Sequence, residues 1–130
     1  MPLTREEVLE KIKDSSVVLL NVLPSEDFDR LHIKDSQNLV LGPNVRSFEA
    51  AAIKRFSKGT LIITYGADEK GTLGLNAAKL LMVHGFQANY YPGGLKDWSQ
   101  AGLPTSVSKR SVLDREPSPP RARRTNDKYR

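Results

Sequence analysis

The chain has 130 residues, 38% hydrophobic, 27% charged and 7% aromatic, enough for one folded domain and a tail but not for two large domains. It contains no cysteine, which excludes disulfides, thiolate metal sites, iron–sulfur clusters and every mechanism with a cysteine nucleophile. The net charge of +5 sits in one place: residues 1–105 hold twelve basic and twelve acidic side chains, and residues 106–130 hold eight basic and three acidic, and a neutral body argues against a nucleic-acid-binding face on the domain itself.

Thr4-Arg5-Glu6-Glu7 has the spacing of a capping box and opens a short helix with Val8, Leu9 and Ile12 on its apolar stripe, ending near Lys13. Ser16–Val22 is a continuous aliphatic run, the pattern of a strand buried on both faces. Pro24–Arg30 reads as one or two helical turns opened by Pro and Ser, and Gln37–Leu41 as a second, shorter strand before the break at Gly42-Pro43-Asn44. Ser47–Phe56 places Phe48, Ala51, Ala52 and Phe56 at helical spacing. Thr60–Tyr65 is the strongest strand signal and runs into a polar loop, Gly66-Ala67-Asp68-Glu69-Lys70-Gly71. Thr72–His84 is the strongest helix, with Leu73, Ala77, Leu80 and Leu81 on its apolar side. Gly85 stands where a left-handed cap belongs, with Phe86 positioned for the accompanying hydrophobic contact. Ala88–Tyr91 is a last strand, Leu95–Ala101 a short helix containing Trp98, and Gly102-Leu103-Pro104 ends the regular pattern.

Strands alternating with helices of this length require right-handed crossovers and a parallel sheet, hence an α/β fold of four or five strands with helices on both faces. The strands at 17–22 and 60–65 are expected to be central and adjacent. From Ser106 onward no hydrophobic period survives, and Pro117-Ser118-Pro119-Pro120 and Arg121-Ala122-Arg123-Arg124 read as disorder. The expected organisation is a domain over residues 1–105 and a disordered basic tail over 106–130. No apolar run reaches the ~18 residues of a membrane helix. The N-terminus has no signal-peptide layout, so a cytoplasmic location is expected.

Several spaced motifs resemble the rhodanese-like domain family. Gly85-Phe86, Tyr90-Tyr91-Pro92-Gly93-Gly94-Leu95, Trp98 and Ala101-Gly102-Leu103-Pro104 are similar to that family's C-terminal half, and Phe28-Asp29-Arg30-Leu31-His32-Ile33 resembles its Y-x-x-G-H-I segment. The resemblance implies a sheet ordered 1-5-4-2-3, its first strand vestigial near Pro2-Leu3. It departs from the family pattern at two places. Asn21-Val22-Leu23 stands where D-[VT]-R is usual, so an arginine contact to the position of Asp27 cannot form. The sulfur-transfer loop, roughly C-x-x-x-x-R-S in active members, corresponds to Gly66, Ala67, Asp68, Glu69, Lys70, Gly71 and Thr72. Gly66 takes the cysteine position, Gly71 the arginine and Thr72 the serine. Sulfur transfer on this fold needs a thiolate, and a glycine supplies none. The resemblance therefore implies an inactive domain that works as a protein-interaction or regulatory module. The alternative is an accessory protein that holds a sulfur donor or other anion while a partner supplies the thiol.

Other chemistry has weaker support. Asp68 and Glu69 read as a solvated loop rather than an acid–base pair, because an exposed carboxylate with an ordinary pKa is a poor catalyst. Gly66, Gly71 and Gly74 lack the lysine of a phosphate loop. His32 is expected to hold a turn through a backbone hydrogen bond, and His84 lies at a helix C-terminus, where a cation is mildly favoured. Two histidines far apart do not make a metal site, and no cofactor is expected. The expected partner is a protein, with the chain monomeric and with only weak polyanion contact through the tail.

Overall fold

The computed structural model describes residues 2–108, in which five helices and six short strands follow one another: α1 (Arg5–Lys11), β1 (Val18–Asn21), α2 (Ser25–Arg30), β2 (His32–Ile33), β3 (Gln37–Asn38), α3 (Val45–Arg55), β4 (Leu61–Tyr65), α4 (Leu73–Val83), β5 (Gln87–Tyr91), α5 (Gly94–Gln100) and β6 (Thr105–Ser106). Four strands form a parallel sheet in the order β3-β1-β4-β5. Pro2 adds a single parallel bridge to Tyr90 on the outer side of β5. The expected 1-5-4-2-3 order is thus realised with its first strand reduced to one bridge, and the two strongest strands lie side by side, Leu20 opposite Thr64.

The continuous aliphatic runs are explained by two cores, one on each face. Leu20, Val22, Ile62 and Ala88 pack under α3 and α4 with Phe48, Ala52, Ala77 and Leu81. Leu19, Ile63, Tyr65 and Tyr91 pack with Val8 of α1 and Trp98 of α5. Neighbouring strand residues point to opposite faces, so a strand covered on both sides must be apolar throughout.

The helix ends obey local chemistry. The Glu7 N–H donates to Thr4 Oγ1 at 3.1 Å and the Thr4 N–H donates to Glu7 Oε1 at 2.8 Å, completing the capping box. Thr4→Ala should therefore lower stability by about 1 kcal/mol in urea unfolding, and an unchanged midpoint would mean that α1 is held by its apolar packing and the Arg5–Asp97 contact rather than by its cap. At the other end of α4, Gly85 has φ +86°, and the N–H groups of Phe86 and Gly85 donate to the carbonyls of Leu81 and Met82. That is a Schellman closure, which only a residue free to adopt left-handed angles makes without strain.

Several element bounds, and one strand pairing, differ from expectation. Asn44 caps α3 by accepting the Arg46 N–H, so the helix begins at Val45 rather than Ser47. Strand β3 is only two residues long, because beyond Asn38 the edge keeps single backbone bonds from Leu39 to Asn21 and from Leu41 to Val22. The antiparallel pair β2–β6 was not anticipated: Ile33 faces Thr105, His32 faces Ser106, and the Ser108 N–H donates to the Asp29 carbonyl at 2.9 Å. Paired backbone thus crosses the expected limit at 105/106 and continues to Ser108. The expectation of disorder beyond that point concerns residues 109–130, which lie outside the described residues.

Candidate functional site

The C-terminal end of β4 delivers the chain into the loop Gly66–Thr72, which leads to α4. All seven residues singled out in the sequence lie together here. Gly66, Ala67, Asp68, Glu69, Gly71 and Thr72 line a hollow of about 190 Å³ closed by Leu73, Tyr90, Tyr91 and Pro92. Lys70 points elsewhere, into an adjoining hollow of about 130 Å³ that it shares with Lys96, Asp97 and Gln100, and Asp68 and Glu69 border both.

The loop satisfies much of its own backbone. The Asp68 carboxylate accepts the Lys70 N–H at 3.0 Å, and the Asp68 carbonyl accepts the Gly71 N–H at 3.3 Å. An aspartate that bonds the amide two residues on is a self-made turn. On the other side, the Gly66 and Ala67 carbonyls accept the N–H groups of Leu95 and Lys96 in the first turn of α5, at 3.0 and 2.8 Å. Two glycines permit that approach. Gly94 has φ +63°, and a Cβ there would lie 2.6 Å from the Gly66 oxygen. Gly74 brings α4 against β4, where a Cβ would lie 3.3 Å from the Tyr65 Cα. At Gly66, by contrast, a Cβ would meet nothing nearer than 3.9 Å, so no contact of the fold forbids a side chain there.

Beneath the loop lies a buried polar network that the sequence did not announce. The Tyr65 hydroxyl accepts from the Asn21 side-chain amide at 3.1 Å and from the Ile33 N–H at 3.0 Å. It donates to Ser36 Oγ at 2.8 Å, whose own proton goes to the Ile33 carbonyl. Asn21 Oδ1 accepts the Leu23 N–H at 2.9 Å. Asn21 thereby ties β1, β4 and the β2–β3 turn together without charge. The only signal for it in the sequence was a polar residue in an otherwise apolar strand.

A second cluster links β5, α5 and α1. The Tyr91 hydroxyl donates to the Asp97 carboxylate, and Arg5 bonds the other oxygen of Asp97 at 3.1 Å. Burial holds the Tyr91 phenol far above its usual range, reinforced by Asp97, and burial raises the Tyr65 phenol as well, against its hydrogen bonds to Ser36 and Asn21. Both phenols have native pKa values above the unfolded value of about 10. Their contribution is thus complete below that pH and lost as the pH rises toward the native values. Stability should fall above about pH 10 by up to about 1.4 kcal/mol per pH unit for each tyrosine. Urea unfolding across that range should show a steeper fall for the parent chain than for Tyr91→Phe, and equal slopes would contradict this.

The histidines are structural. His32 Nδ1 donates to the Phe28 carbonyl at 2.7 Å, and its ring stacks on Phe28 at 3.7 Å, as expected for a turn-holding residue. His84 Nε2 lies 2.8 Å from Glu49 Oε2, joining the end of α4 to α3. Among the described residues no three histidine or acidic side chains converge as metal ligands, and no helix is long and apolar enough to cross a membrane.

Comparison with known proteins places this geometry. The sequence matches the rhodanese-like domain over residues 4–101. No curated protein matches it. Among solved structures, the rhodanese-like domain of an Anabaena protein is 20% identical, with a TM-score of 0.69 over 95% of this chain and 89% of that one. A Bacillus halodurans protein is 20% identical with a TM-score of 0.70, covering 82% of this chain and 77% of that one. A thiosulfate sulfurtransferase from Pseudomonas aeruginosa is 17% identical with a TM-score of 0.67 over 83% of this chain, which corresponds to 20% of that longer protein. These likenesses concern the fold. The sequence match spans most of the chain and the sheet carries the expected order, so the chain belongs to the rhodanese-like domain family.

Proposed function

We propose that this rhodanese-like domain is an inactive member that works as a protein-interaction or regulatory module, with Gly66–Thr72 standing where active members carry the sulfur-transfer loop. The chain has no cysteine and so supplies no thiolate for sulfur transfer. The carrying observation is the Asp68 turn. A loop that binds an anion presents free inward N–H groups. Here the Lys70 N–H is taken by the Asp68 carboxylate and the Gly71 N–H by the Asp68 carbonyl. The carboxylate occupies an amide that a bound anion would use, and Glu69 adds a second negative charge at the same hollow. The same arrangement argues against the alternative, an accessory protein holding an anionic sulfur donor for a partner's thiol. On this reading the loop is a recognition surface, and the basic residues beyond 105 add weak, salt-sensitive contact with polyanions.

The test is affinity isolation from the source cells with the parent chain and with an Asp68→Lys/Glu69→Lys variant. The expected result is a protein retained by the parent chain, retained at least about tenfold less by the variant, and producing no thiocyanate from thiosulfate and cyanide together with the domain. Domain-dependent thiocyanate formation in that complex would favour the accessory reading instead. Equal retention by both chains would remove the loop from the recognition surface.

A further inference from the structure

A second concavity lies beside the loop. A groove of about 570 Å³ runs between the β3–α3 connection and α4, with Leu41, Pro43 and Val45 on one wall and Leu73, Lys79 and Leu80 on the other. Its size falls within the range of sites that enclose a small ligand or a few side chains. Its walls are apolar, and Val45, 42% exposed, stands at the rim. Leu73 and Leu80 are only half-buried, because Ala77, Ala78 and Leu81 fill the core beneath them.

Among the described residues the groove's own lining carries a single charge, the cation Lys79, while Asp68 and Glu69 border the adjoining hollow that shares Leu73 with it. Neither Lys79 nor the neighbouring exposed Arg46 makes an ion pair among those residues. Helices α3 and α4, each of eleven residues, both begin at this end, at Val45 and Leu73. Their N-termini add partial positive charge. The nearest acid along α3, one turn from Val45, is Glu49, and it is engaged with His84 at 2.8 Å. An apolar trough with Lys79 on one wall and two helix N-termini at its end is complementary to aliphatic side chains accompanied by a carboxylate. A basic ligand would meet repulsion there, and a purely polar one would leave the walls wet.

We propose that this groove docks an acidic, aliphatic-rich segment of a partner protein. The proposal rests on reading the domain as an interaction module and gives that module its partner chemistry. It is tested on the full chain with three synthetic peptides of equal length: one built of Leu and Glu, one with Lys replacing Glu, and one with Ser replacing Leu. Amide NMR shifts are followed during each titration. The Leu/Glu peptide should produce saturable shifts at Val45, Asn76, Lys79 and Leu80, and the other two should not. Lys79→Glu, at an exposed position, should weaken binding about tenfold with unchanged folding, and Val45→Glu should do the same independently. Equal binding of the Lys peptide, absence of saturable shifts, or indifference to both substitutions would overturn the proposal. Shifts confined to Gly66–Thr72 would also overturn it while leaving the interaction reading of the domain standing.

Discussion

Gly94→Ala should destabilise the domain by about 3 kcal/mol or more, through two effects that add. The residue has φ +63°, a conformation that L side chains rarely adopt, and the new Cβ would lie 2.6 Å from the Gly66 carbonyl oxygen. Backbone strain of this kind costs about 1–3 kcal/mol and overpacking a similar amount. Relief would require α5 to withdraw from the loop, breaking the bonds from Leu95 and Lys96 to Gly66 and Ala67. Gly102→Ala separates the two effects, since Gly102 has φ +75° but a Cβ there would meet nothing within 4 Å. It should cost only about 1 kcal/mol. Urea unfolding of both variants checks the pair. Similar losses would mean that the contact between α5 and the loop is softer than its geometry indicates.

Tyr65→Phe should cost about 2–4 kcal/mol although it removes one oxygen atom. Tyr65 is fully buried, and its hydroxyl satisfies the Asn21 amide, the Ile33 N–H and Ser36 Oγ. Deleting it leaves two buried donors without an acceptor, each worth about 1–3 kcal/mol when unsatisfied. The effect should be non-additive with Ser36→Ala, because the two residues share one network. A loss below about 0.5 kcal/mol would show that the buried donors find other acceptors, and strict additivity would show that Ser36 is energetically separate.

The parts of the fold legible in the sequence are those with short-range causes. Thr4 and Glu7 cap each other within one turn, Gly85 and Phe86 close α4 within one turn, and the aliphatic run of β1 follows from burial on both faces. The pair β2–β6 was not legible. Two residues at His32–Ile33 and two at Thr105–Ser106 are too few to show a period, and their partners are distant in the chain. The loop was legible in composition but not in geometry. Asp68 could be read as a turn residue, whereas the contact of Gly66 with Gly94 exists only once α5 has docked. The groove depended on a finer point: Leu73 and Leu80 carry the helical apolar period, yet the core is filled by Ala77, Ala78 and Leu81, which leaves the two leucines half-buried at its edge.

Whether the loop after β4 has exchanged anion binding for an internal carboxylate is decided by titrating the full chain with thiosulfate while following the amide NMR signals of Gly66–Gly74. The expected result is no saturable shift in that segment for the parent chain, with affinity for the anion emerging in Asp68→Ala, where the Lys70 N–H is released and one negative charge is lost. Saturable shifts at Gly66–Thr72 in the parent chain, unchanged in Asp68→Ala, would contradict it.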